Sequence, residues 1–197
     1  MFMISSHGVP KASFAPAMTS TTGFTFGNGS AGGMASGIWS PGSTAGFYPC
    51  VWGAAVNTDN FYVQCTLNSA PATTSAQTIT YRRSAGVLVR SNIGFTQQVW
   101  CGVDSAGCYI LTATSGTGGT ITLRASTATA WASADVMRIE AVGNVYTVYR
   151  NGVSHVNWTD SGGVITIGST NRYGGLHEGD DNFTASCSLK TLTIGDL

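Results

Sequence analysis

Three groups of residues in this chain are of types that do chemistry. The first lies in NRYGGLHEGDDN, which gathers Asn171, Arg172, His177, Glu178, Asp180, Asp181 and Asn182 into the densest polar cluster of the sequence. Glu178, Asp180 and Asp181 could offer carboxylate oxygens to Ca2+, a hard cation that prefers such ligands. They lack the spacing of a calcium loop, so the cluster reads first as a solvated turn. The second group is Arg138, Glu140, Tyr149 and Trp158. Rings flanked by polar side chains are suited to holding a sugar. The competing reading makes Arg138 and Glu140 an exposed ion pair worth under about 1 kcal/mol, with the aromatics packed beneath a loop. The third group is the histidines His7, His155 and His177, which lie in dissimilar settings: an N-terminal segment, an apolar strand face and a polar loop. Retaining hydrolysis of a glycosidic bond needs two carboxyl groups about 5–5.5 Å apart, and no paired glutamates occur. No G-x-S-x-G nucleophile elbow occurs either. The chain reads as a non-enzyme.

The second group is positioned by DVMRIEAVGNVYTVYRNGVSHVNWTD, residues 135–160. This reads as three antiparallel strands joined by tight turns at Gly143-Asn144 and Asn151-Gly152, because Asn and Gly best tolerate the positive φ that two-residue hairpin turns require. Pairing Val142 with Val145 and Arg150 with Val153 fixes the faces. Met137, Ile139, Ala141, Tyr146, Val148, Val153, His155 and Asn157 fall on one side, expected to be core. Arg138, Glu140, Thr147, Tyr149, Ser154 and Trp158 fall on the other, expected to face solvent or a ligand.

Further strands are expected at Phe61–Leu67, Thr78–Arg82, Val87–Arg90, Gln98–Val103, Cys108–Ala113, Thr120–Arg124, Val164–Ile167 and Ser188–Ile194. Short strands separated by Gly-rich turns predict an all-β, two-sheet antiparallel sandwich. Charged residues make up 9% of the 197 residues, against about 25% in ordinary domains, and no sustained helical period is present. The formal net charge is +0, with no basic cluster beyond Arg82-Arg83, which argues against a nucleic-acid partner. Solubility then rests on hydroxyls and amides, a surface suited to packing in an assembly.

Residues 1–36 read as a separate extended arm rich in Gly, Ser and Thr, with Phe14, Phe24 and Phe26 standing apart, and 37–197 as the sandwich. The arm is either flexible or ordered by adding to a sheet edge. The opening MFMISSHGVPK is too short in apolar residues for a signal peptide, and no apolar run is long enough to span a membrane. The expected setting is synthesis in a cytoplasm.

Of the five cysteines, Cys65 alternates with Phe61, Val63 and Leu67 and reads as a buried thiol. Cys101 and Cys108 flank GVDSAG and could meet across a hairpin; Cys50 and Cys187 have no evident partner. Reduced thiols acting as small apolar groups are the main reading. No CxxC pair is present, so no zinc site is expected.

The run RIEAVGNVYTVYRNGV (Arg138 to Val153), then YGGL (Tyr173 to Leu176) within RYGGL, then DNF (Asp181 to Phe183) within DDNF resembles concanavalin-A-like, laminin-G-like jelly rolls, and DNFYVQCTL (Asp59 to Leu67) looks like an early strand of that family. The resemblance spans about Ile38 to Leu197 and implies the fold far more than the function. Retaining glycosidases of that fold carry E-x-D-x-x-E; here Glu178 and Asp180 match, and Phe183 stands where the second glutamate would be. A looser resemblance of style is to virion proteins of tailed bacteriophages. It implies a capsid decoration or minor tail protein on the virion surface, homo-oligomeric and docked to other virion proteins by Phe14, Phe24 and Phe26. The alternative is a carbohydrate-binding module for a cell-surface glycan, held by Arg138, Glu140, Tyr149 and Trp158.

Overall fold

In FYVQCTL every second side chain is apolar, and in the computed structural model Phe61, Val63, Cys65 and Leu67 are buried while Tyr62, Gln64 and Thr66 are half-buried. That two-residue period is what a strand with one face on a core must show, and it recurs through the chain. The structure describes residues 11–27, 33–40, 46–71, 84–114, 120–180 and 187–197. Among them the strands are β1 (Ser13–Phe14), β2 (Phe24–Phe26), β3 (Gly33–Ala35), β4 (Ile38–Ser40), β5 (Gly46–Trp52), β6 (Phe61–Leu67), β7 (Ala85–Ser91) and β8 (Gln98–Val103). They continue with β9 (Cys108–Ala113), β10 (Ile121–Thr127), β11 (Val136–Val142), β12 (Val145–Arg150), β13 (Val153–Thr159), β14 (Tyr173–Asp180) and β15 (Leu189–Asp196).

The strands form two antiparallel sheets of a jelly-roll sandwich. One runs β13-β12-β11-β6-β15-β4-β3, with β1 also on β15; the other runs β10-β9-β8-β7-β14-β5-β2. The main core fills the space between them, from Phe61, Val63, Ile139 and Ile194 of the first sheet to Val87, Val99, Ile110 and Leu176 of the second. The second sheet is apolar on its other face as well, where Val51, Leu88, Phe95, Trp100, Leu111 and Ala113 form another cluster. β7 and β8 are therefore buried at every position, which explains why their sequences run apolar without alternation.

The hairpins of the 135–160 segment have the expected register, Val142 with Val145 and Arg150 with Val153. Asn151 and Gly152 both have positive φ (52° and 81°), as a type I′ turn requires. At the other turn only Gly143 does (φ 55°), which is the pattern of type II′ with glycine first. Ile139 and Val148 are fully buried.

Several expectations are corrected. Val164–Ile167 is not a strand. Side chains, rather than a neighbouring strand, satisfy its backbone: the Asp160 carboxylate accepts from Val164 N and Ile165 N, and the Gln97 amide pairs with both N and O of Thr166. Conversely, YGGLHEGD is no solvated turn. It is β14, paired on one side with β5 and on the other with β7. The glycines that made it look like a loop permit close packing; a Cβ on Gly175 would come within 1.9 Å of the Cys50 carbonyl oxygen. The expected strand Thr78–Arg82 lies outside the described residues.

Candidate functional site

Between β12 and β13 the register shifts at Val148/Tyr149: Val148 pairs with Val156, whereas Tyr149 pairs with Ser154. His155 is the extra residue of this β-bulge, and every residue beyond it changes sides. Trp158 thus pairs with Tyr146 and stacks on it inside the sandwich, ring centres 5.1 Å apart at 18°. The Arg124 guanidinium lies 5.3 Å above the Trp158 ring, while its Nε donates to Thr112 Oγ1. Trp158 therefore does not share a face with Tyr149. Asn157, expected to be core, is exposed, and Val153 is 70% exposed because it lies on the free edge strand. His155 is half-buried and meets Trp131 edge-on at 5.5 Å. Burial, then the nearby Arg150 charge, holds its imidazole below the ordinary range.

The other three residues of that set do share the outward face. Arg138 stands between Gln64 of β6 and Tyr149 of β12, and Glu140 between Tyr62 and Thr147. Arg138 Nη2 is 2.6 Å from Glu140 Oε1, and its guanidinium lies 3.8 Å from the centre of the Tyr62 ring. Partial burial, then the charge of the neighbouring Glu140 carboxylate, raise the pKa of Tyr149 above the ordinary phenol value. Tyr62 in turn lies over Gly195 of β15, where a Cβ would come within 2.9 Å of the ring. The result is a flat patch of two tyrosine rings bridged by one guanidinium and one carboxylate, with Gln64 and Thr147 beside them. Tyr62 and Gln64 were not among the expected site residues, although the alternation of FYVQCTL already put them on a polar face.

The polar cluster of β14 divides between two sides of its sheet. His177 is on the side of Trp100, with ring centres 4.7 Å apart, and its Nε2 lies 3.3 Å from Ser84 Oγ. Complete burial pushes its pKa down to about 3. Glu178 points the opposite way, fully buried between the sheets, close enough to raise the Cys50 and Cys65 thiols by its charge. Arg172 donates from Nε to Asp59 Oδ1 at 2.8 Å and from Nη1 to Asn57 O. Glu178 therefore does not sit in an exposed turn. The Asp180 side chain, Asp181 and Phe183 lie outside what is described. Among the described residues no three His, Cys, Asp or Glu side chains gather as a metal site.

The three arm phenylalanines are engaged within this chain. Phe24 is buried in the main core, and Phe14 and Phe26 pack against it. Ala12 is fixed by its N donating to Asp196 Oδ2 at 2.6 Å. All five cysteines are buried thiols. Cys101 and Cys108 do meet between β8 and β9, their sulfurs 3.5 Å apart.

No family model and no curated protein sequence matches this chain. Solved structures do. The carbohydrate-binding module CBM66 from Bacillus subtilis superposes with a TM-score of 0.57 at 14% identity, covering 86% of this chain and 92% of its own. The CBM2 module of the evolved Dit of Lactobacillus casei BL23 phage J-1 gives 0.55 at 15% identity, covering 95% and 97%. A prokaryotic β-1,3-1,4-glucanase (lichenase) from a mouse hindgut metagenome gives 0.54 at 8% identity, covering 93% and 98%. These likenesses concern the fold.

Proposed function

We propose that this protein is a non-catalytic carbohydrate-binding module whose ligand lies on the outward patch of Tyr62, Gln64, Arg138, Glu140 and Tyr149. The observation that carries the reading is the Arg138–Glu140 ion pair on the outward sheet face beside the rings of Tyr62 and Tyr149. Guanidinium and carboxylate together offer donors and acceptors to vicinal hydroxyls, and a phenol ring offers its face to the C–H side of a pyranose. The names of two similar structures, both carbohydrate-binding modules, support it. Against hydrolysis stands the carboxylate placement: Glu178 is buried between the sheets, not set at a cleft, and Phe183 replaces the second glutamate of the glycosidase motif. A general acid must reach the glycosidic oxygen.

The test is a glycan array followed by titration of the glycan that binds best. Tyr149→Ala and Arg138→Ala should each weaken binding by about tenfold, or roughly 1.4 kcal/mol, with unchanged melting temperature. Retention of full affinity by both variants removes the patch from the reading. Release of reducing sugar from a β-glucan would remove the non-catalytic part.

A second reading concerns setting. The phage Dit module matches nearly the whole of both chains, which supports display of this sandwich on a bacteriophage particle, on capsid or tail, in several copies. Antibody labelling of purified particles tests it; an absence of label on intact virions from producing cells defeats it.

A further inference from the structure

At one end of the sandwich the loop between β7 and β8 and the turn before β14 enclose a groove of about 540 Å3, lined by Asn92, Ile93, Thr96, Ser169, Thr170 and Tyr173. We infer that this groove is a second ligand site, separate from the Tyr149 patch, that takes a neutral saccharide unit. Its volume is that of a small-molecule pocket. None of its lining residues carries a charge, which disfavours an anionic or cationic ligand.

What the lining offers is hydroxyl and amide chemistry. Among the described residues the Ser169 and Thr170 side chains make no hydrogen bond. Asn92 donates through Nδ2 to Thr96 Oγ1 (2.5 Å) and Asn171 Oδ1 (3.3 Å), and its Oδ1 accepts from Thr96 N (3.0 Å). The Thr96 hydroxyl proton and one lone pair of Asn92 Oδ1 are left to a ligand. Ile93, 50% exposed, and the Tyr173 ring supply apolar surface for the C–H face of a sugar.

The groove is also rigid. Gln97 ties its loop to the backbone of Arg90 and Thr166, Asn171 Nδ2 donates to Thr166 O, and Phe95 anchors the loop tip in the second apolar cluster. Little ordering is left to cost affinity on binding. The ligand class rests on the carbohydrate reading above; the location does not.

The test is titration of the isotope-labelled full chain with glucose, galactose, mannose and N-acetylglucosamine at millimolar concentration, followed by amide chemical shifts. Shifts at residues 92–96 and 169–173 are expected. Ile93→Asp, an exposed position, should weaken them by about tenfold or more, while Tyr149→Ala leaves them unchanged. Shifts confined to Tyr62, Arg138 and Tyr149 overturn the groove and leave the proposed function standing. Tighter binding of a uronic acid than of its neutral parent at the groove overturns the neutral assignment. A chain that binds no saccharide here or on the array overturns both readings.

Discussion

At the scale of single residues, the aromatics of the 135–160 segment separate into two kinds of work. Tyr149 is on the outward patch, whereas Trp158 stacks on Tyr146 beneath Arg124. Trp158→Ala should therefore cost stability, roughly 2–3 kcal/mol for a half-buried ring, with glycan affinity unchanged in the folded fraction. Tyr149→Ala should do the reverse. Urea denaturation and glycan titration of the two variants check this, and equal stability losses would contradict it. His177 predicts a pH dependence. Its pKa falls from the ordinary 6.5 to about 3 on folding because of burial, so between those values the unfolded chain binds a proton that the folded chain does not. Stability is full above about pH 6.5 and declines as pH falls toward 3, by several kcal/mol in order of magnitude. His177→Gln should flatten that slope relative to wild type. A wild-type urea midpoint that holds constant from pH 6.5 to 4 would show that the imidazole is not held neutral.

At the scale of elements, one bulge and one carboxylate decide more than the repeating pattern does. The alternation and the Asn/Gly turns made β6, β11 and β12 legible residue for residue, and short apolar runs did the same for β8 and β9. The bulge at His155 was not, because inserting one residue leaves both flanking strands with plausible alternation while exchanging their faces. β14 was hidden for a different reason: its glycines serve close backbone packing, and two of its polar side chains, His177 and Glu178, are buried in the sheet rather than solvated. The short early strands were hidden because two or three residues are too few to show any period. The first of them, β1, is held at its start by Asp196, whose carboxylate accepts from Ala12 N and also from Thr58 N, Thr58 Oγ1 and Asn57 N. Burial raises its pKa, but these bonds outweigh burial and hold it below the usual 3.8. Its contribution is thus present above that value and lost as pH falls through the lowered one. Asp196→Ala should cost about 2–3 kcal/mol, since it strands several donors at once, and removal of residues 1–14 should cost a comparable amount. If the truncated protein melts with wild-type Tm, β1 contributes nothing to the sandwich and the arm is free for a partner.

At the scale of the whole molecule, the two sheets are unlike. The first is dry only toward its partner and presents Gln64, Arg138, Glu140, Thr147 and Tyr149 outward. The second is apolar on both faces at its centre, so β7 and β8 lie between two hydrophobic clusters. Such burial should make the second sheet the last part to open, since amide exchange there requires loss of both clusters. The cysteines report on the same property. Cys50, Cys101 and Cys108 belong to the second sheet's inner face and Cys65 to the first sheet's, and all, with Cys187, are buried thiols. Burial raises the Cys50, Cys65 and Cys101 thiols well above the ordinary range, which removes the thiolate that reacts with disulfide reagents. A chromogenic disulfide should therefore titrate no thiol in the native protein and five in urea, with the rate of release set by opening of the sandwich. Recovery of only three in urea would mean that Cys101 and Cys108, 3.5 Å apart, had closed a bond across β8 and β9. Rapid reaction under native conditions would mean that the space between the sheets opens far more readily than two-sided burial of the second sheet allows.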